Sequence, residues 1–124
     1  SFDEARGSNH PDEDIVQIQI WLRDNLSRDI HMPDVADLFG MSVRSFNRRF
    51  KSATDQSPLQ FLQEKRIDSA KDLLQTSNLS IAEVAYRVGY HDVSHFSQRF
   101  KKLLAASPSE YRVTVRAKLF SSNH

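Results

Sequence analysis

The chain has 124 residues, of which 39% are hydrophobic and 27% charged, with a net charge of +1 and no cysteine. That length allows one domain, or two very small ones sharing an element. The absence of cysteine excludes disulfides and thiolate metal sites, and no apolar run approaches the roughly 18 residues of a membrane span.

Residues 1–11 mix Ser, Gly, Asn, Pro and acids without an apolar period, and read as a linker or tail. Asp12-Glu13-Asp14 places acids where a helix dipole favours them, and Ile15, Ile18 and Leu22 then follow a helical period to about Asn25. Trp21 beside that stripe is expected in the core. A second helix is expected over 33–39, ended by Gly40, and Ser42 suits the N-cap of a third. A short helix, a glycine turn and another helix make a helix-turn-helix unit. Ser57-Pro58 supplies an N-cap and a first helical residue for a long connector reaching about Thr76. Ser80-Ile81-Ala82-Glu83 has the capping-box spacing and opens a helix over 81–88, closed by Gly89. A further helix follows over about 93–104, and Ser107-Pro108 starts a last one near 108–115. No stretch alternates like a strand, so the expectation is all-α, with about seven helices. The divisions are 1–11 linker, 12–56 first helix-turn-helix subdomain, 57–77 connector helix, 78–118 second subdomain and 119–124 flexible tail.

The chain says nearly the same thing twice. Val43 to Lys51 returns fifty residues later as Val93 to Lys101, with Phe46 and Phe50 matching Phe96 and Phe100. Ser57-Pro58 matches Ser107-Pro108, and Gly40 matches Gly89 with one extra residue in the second turn. Two copies are too few for a solenoid. They suit two small units, each presenting one helix to a common partner. Charge is split as well. Residues 1–39 carry three arginines against nine acids, a balance of −6, and residues 40–124 carry fourteen basic residues against seven acids, a balance of +7. Such asymmetry points to a polyanion.

On a helical wheel Phe46 and Phe50 share one face, and Arg44, Asn47 and Arg48 share another. In the second copy Ser94, Ser97 and Gln98 take that outer face, with Val93 and His95 beside them. Arg pairs with guanine O6 and N7, Asn or Gln with adenine N6 and N7, and hydroxyls with either base, so these eight residues are candidate readers of a major groove. Arg49, Lys51, Arg99, Lys101, Lys102 and Arg112 are candidate phosphate contacts, which add affinity without sequence information.

Residues 80–112 resemble the signature of the AraC/XylS family of bacterial transcription regulators. The matching elements are Ile81, Glu83-Val84-Ala85, Gly89-Tyr90, Ser94, Phe96, Gln98, Phe100-Lys101 and Ser107-Pro108 followed by Tyr111-Arg112. The first copy and connector match more loosely, extending the resemblance over about 12–118. It implies two helix-turn-helix subdomains joined by a long helix, entering successive major grooves of double-stranded DNA, with base-reading helices at 43–54 and 93–104. It also implies a bacterial, cytoplasmic, nucleoid-associated regulator with RNA polymerase as a possible partner. A separate N-terminal sensor or dimerisation domain is implied too, and a start at Ser1 is expected of such a fragment. The family usually has Gly after each reading helix, where this chain has Asp55 and Ala105, and often Arg where this chain has Gln98.

The competing class is a protein-interaction module, using the acidic first helix or an aromatic surface. No enzyme or cofactor is expected, since no glycine-rich phosphate loop and no nucleophile elbow occurs. His91 and His95 are four apart but lack a further ligand pair, so no metal is expected. With no spare apolar stripe foreseen for a seam, the fragment is expected to be a monomer.

Overall fold

A computed structural model describes residues 12–122, with side chains described as far as residue 120. The expected linker, 1–11, lies outside the described residues. These contain seven helices and no strand. They are α1 (Glu13–Asp24), α2 (Met32–Leu38), α3 (Val43–Thr54), α4 (Pro58–Thr76), α5 (Ile81–Arg87), α6 (Val93–Leu104) and α7 (Pro108–Ser122). The chain divides into two compact units, Ser1–Glu64 and Lys65–His124, so the boundary falls inside α4.

In the first unit α1 and α2 both pack on α3. Ile15, Ile18 and Leu22 line the inner side of α1 at i, i+3, i+7 spacing and close over Val35, Ala36, Phe46, Phe50 and Phe61. Trp21 is half-buried against this cluster rather than within it, as are Met32, Phe39 and Met41. In the second unit α5 and α7 pack on α6. Val84, Ala85, Val88, Tyr90, Phe96 and Phe100 are buried, together with Ile67, Ala70 and Leu74 from α4.

The repeat in the sequence is a repeat in geometry. The amide of Met41 donates to Ala36 O at 2.8 Å, and that of Tyr90 to Ala85 O at 2.9 Å, after glycines at φ 71° and 101°. Phe46 and Phe50 meet at 6.1 Å between centroids, Phe96 and Phe100 at 5.8 Å. Phe50 then meets Phe61 at 5.5 Å and 71°, and Phe100 meets Tyr111 at 5.4 Å and 71°. Ser57 and Gln60 exchange capping bonds of 2.9 and 3.1 Å, and Ser107 and Glu110 do the same at the same distances.

Two elements depart from the expected boundaries. Helix α2 is one residue earlier at each end, with Pro33 in its first turn. Helix α7 continues seven residues past the expected stop at 115, reaching Ser122, because no Gly or Pro interrupts it. Its extension leaves Val113 and Phe120 each 70% exposed on one side of the helix. The expectation that no apolar stripe is left over therefore does not hold for α7.

Helices α3 and α6 each end on a left-handed residue, Asp55 at φ 62°, ψ 17° and Ala105 at φ 60°, ψ 17°. Asp tolerates that region; Ala does not, and the conformation costs it about 1 kcal/mol. Ala105→Gly is expected to stabilise the domain by up to about 1 kcal/mol, and Asp55→Gly by less. Thermal melting of the two variants against the parent chain checks both the sign and the order.

Candidate nucleic-acid interface

Helix α3 is opened by Ser42, whose hydroxyl accepts from Ser45 N at 3.1 Å. Helix α6 is opened by Asp92, whose carboxylate accepts from Ser94 N at 2.8 Å. The second copy thus caps with the extra residue of its turn. With Phe46, Phe50, Phe96 and Phe100 all 0% exposed, the inward side of each helix is fixed.

The outward side of α3 carries Arg44, Asn47, Arg48 and Lys51, all exposed. At 3.6 residues per turn they fall within an arc of about 100°. Arg44 and Arg48 make no ion pair among the described residues. Lys51, expected as a phosphate contact, lies within this arc and donates to Asp55 O at 3.0 Å, so it also caps the helix C-terminus. On α6 the same arc holds Ser94, Ser97, Gln98 and Lys101, with Ser97 half-buried and the others exposed. Lys102 is exposed at its edge. His95 is exposed and held edge-on to Tyr90 at 5.5 Å, while Val93 is half-buried at the start of the helix. Val43, the counterpart of Val93, is 46% exposed. It joins the candidate surface although wheel reasoning passed over it; its equivalence to Val93 was the available signal.

Three of the expected phosphate contacts are placed elsewhere. Arg49 lies about 150° round α3 from the middle of the exposed arc. Its Nε and Nη2 donate to the two oxygens of Asp12 at 2.9 and 2.7 Å, and Nη2 also donates to Asp14 at 2.8 Å. A guanidinium engaged by two carboxylates away from the exposed arc acts as a structural clamp between α3 and the start of α1. Arg99, its counterpart, is half-buried at the equivalent angle on α6, again away from the arc. Arg112 donates to Leu74 O at 3.2 Å and Ser77 O at 3.4 Å. With Arg116, which donates to Ser77 O and to Asn78 Oδ1, it satisfies carbonyls at the C-terminal end of α4. Arg112, expected as a phosphate contact, is thus placed as a cap of α4.

The hydrogen bond from Arg49 holds the Asp12 carboxyl below its ordinary pKa, against a smaller opposing effect of burial. Bonds from Ser80 and Ser107 do the same for the capping carboxylates Glu83 and Glu110. The Tyr90 hydroxyl is buried without a hydrogen-bond partner among the described residues, and burial pushes its pKa up. No group of three His, Asp or Glu side chains among the described residues is placed to hold a metal ion.

The profile of a helix-turn-helix domain family matches residues 35–114, both turn units and the helix between them. The chain is 35% identical to the DNA-binding domain of AdpA, a global transcriptional factor whose structure was solved with a target DNA. That likeness covers 84% of this chain and 94% of that one, with a TM-score of 0.81. The chain belongs to the AraC/XylS helix-turn-helix family. The C-terminal domain of AraT, a response regulator from Geobacillus stearothermophilus, is similar at 30% identity and a TM-score of 0.79, over 82% of this chain and 84% of that one. Among curated relatives, the HTH-type transcriptional activator RhaS of Enterobacter sp. (strain 638) is 33% identical over 87% of this chain. This chain spans only 39% of that relative's length.

Two outcomes separate the clamp and the cap from the exposed arcs. Arg112→Ala is expected to lower the melting temperature while leaving the salt dependence of DNA binding unchanged, because it removes a cap and no phosphate contact. A flattened salt slope would restore Arg112 to the interface. Arg49→Met is expected to destabilise by a constant amount from neutral pH down to about 4. Asp12 has its folded pKa depressed, so its contribution is complete above the unfolded value near ~3.9 and is lost as pH falls through the lower folded one. The difference between variant and parent should therefore shrink only in that acid range, as read by acid unfolding followed by circular dichroism.

Proposed function

We propose that this chain is the double-stranded DNA-binding part of a bacterial transcription regulator, reading sequence with α3 and α6 in successive major grooves. The observation that carries the proposal is the shared build of the two helices. Each is anchored by a buried Phe pair and turns a polar arc outward, and one of those arcs holds two arginines with no ion pair among the described residues. Arg44 and Arg48 suit guanine edges, Asn47 and Gln98 suit adenine, and Ser94 and Ser97 accept either. His95, Val93 and Val43 flank these as edge contacts, the valines suiting thymine methyls. Lys51, Lys101 and Lys102 supply phosphate affinity.

The solved complex of the AdpA domain with its target DNA supports this reading for a chain of similar sequence and fold. The activators and response regulator among the relatives support a role in transcription. Because the chain spans 39% of such a relative, contact with RNA polymerase and control by a separate sensor or dimerisation domain belong to the proposal as well, acting in the cytoplasm.

Binding isotherms on a duplex selected from a random pool test it. Arg48→Ala should cost about 1–3 kcal/mol on the selected site and relax preference at one or two base pairs. Lys101→Ala should weaken all sequences alike and flatten the slope of log affinity against log salt by about one. Unchanged sequence preference in Arg48→Ala would remove α3 as a reader.

A further inference from the structure

The two units share a backbone but lock their reading helices differently. In the second, Tyr90 leaves the glycine turn and packs its ring on Phe96 at 5.3 Å and His95 at 5.5 Å, joining the turn to the first two turns of α6. The residue at that position in the first unit is Met41, placed by the same amide bond to the preceding helix but half-buried and flexible. A thioether cannot fix the rotation of α3 as a stacked ring fixes that of α6.

The first unit has what the second lacks. Arg49 reaches from α3 to the N-terminus of α1, where its fork meets both oxygens of Asp12 and one of Asp14. The side chains are 32% exposed for Arg49, 25% for Asp12 and 59% for Asp14, so the bidentate half of the clamp is the better shielded. Bidentate guanidinium–carboxylate pairs fix geometry as well as adding energy, and a network of charges outlasts an isolated surface pair. Asp12 is also the N-cap of α1, accepting from Ile15 N at 3.4 Å, so it ties the start of one helix to the flank of another. Arg99, the counterpart of Arg49, has no acidic partner among the described residues.

We infer that Asp12 and Asp14 are positioning residues for the reading helix of the first unit: through Arg49 they set the rotation of α3, and so the aim of Arg44, Asn47 and Arg48. This rests on the proposed reading role of α3. The acidic stretch at the start of the chain, which opposes DNA by charge, thus serves DNA recognition by geometry. Removing its charge should weaken binding, the reverse of what electrostatic repulsion alone would give.

The test uses Asp12→Asn/Asp14→Asn, Arg49→Met and their combination, with Arg48→Ala as the control for the reading role. Asn retains the capping capacity of Asp, so α1 keeps its start. On the selected duplex the acid pair and Arg49→Met should each weaken binding about three- to tenfold, and the combination no more than either alone, since all break one clamp. Amide shifts across residues 43–51 should move together in both variants while those of 93–101 stay in place, a signature that simple loss of stability would not produce. Tighter binding by the acid-pair variant, or unchanged binding with unmoved shifts while Arg48→Ala still weakens it, overturns the inference and leaves an ordinary surface ion pair. If Arg48→Ala also has no effect, the reading role of α3 fails first and takes the inference with it.

Discussion

Everything the two outer arcs can do depends on a pair of phenylalanines four residues apart. Burial of Phe46 and Phe50 decides which side of α3 faces out, leaving its finer rotation to contacts on its flank, and Phe96 with Phe100 makes the same choice for α6. The next ring in the chain, Phe61 or Tyr111, meets the second Phe edge-on at the same angle in both units, so α3 and α6 are each held from the following helix as well. Rings 5 to 6 Å apart in tilted and edge-on arrangements contribute packing beyond their area, and their shape resists rotation of the helix. The polar side chains of the outer arc carry none of this load. They are free to differ between the copies, and they do, from two arginines and an asparagine to two serines and a glutamine.

The left-handed cap is the second shared constraint. Helices α3 and α6 must stop at the same point so that Ser57-Pro58 and Ser107-Pro108 can start the next helix at the angle that delivers Phe61 and Tyr111. Asp55 and Ala105 hold nearly identical dihedrals although only one of them tolerates the region well. The packing that follows enforces the turn on Ala105, and the local cost is offset by the ring it positions.

Much of this was legible in the sequence because it is local. Caps at Ser42, Ser57, Ser80 and Ser107 are read within four residues, the helical stripes within two turns, and the repeat made the aromatic positions conspicuous. What escaped was long-range or lacked a stop signal. The partners of Arg49 and Arg112 lie 37 and 38 residues away, and no spacing rule distinguishes an arginine that clamps an acid or caps a carbonyl from one that meets a phosphate. The end of α7 carries no Gly or Pro, so nothing local marks where it stops. Trp21 was expected inside and stands at the edge, since a single bulky ring beside a stripe says nothing about how wide the neighbouring surface is.

In the proposed complex one scaffold, used twice, presents two separate reading helices to one duplex. Missing-nucleoside interference on the selected site addresses it without assuming which bases are preferred. Two clusters of interfering positions about one helical turn apart, roughly 10 base pairs between centres, are expected. A single cluster, or interference spread evenly along the duplex, would show that the two helices do not both read it.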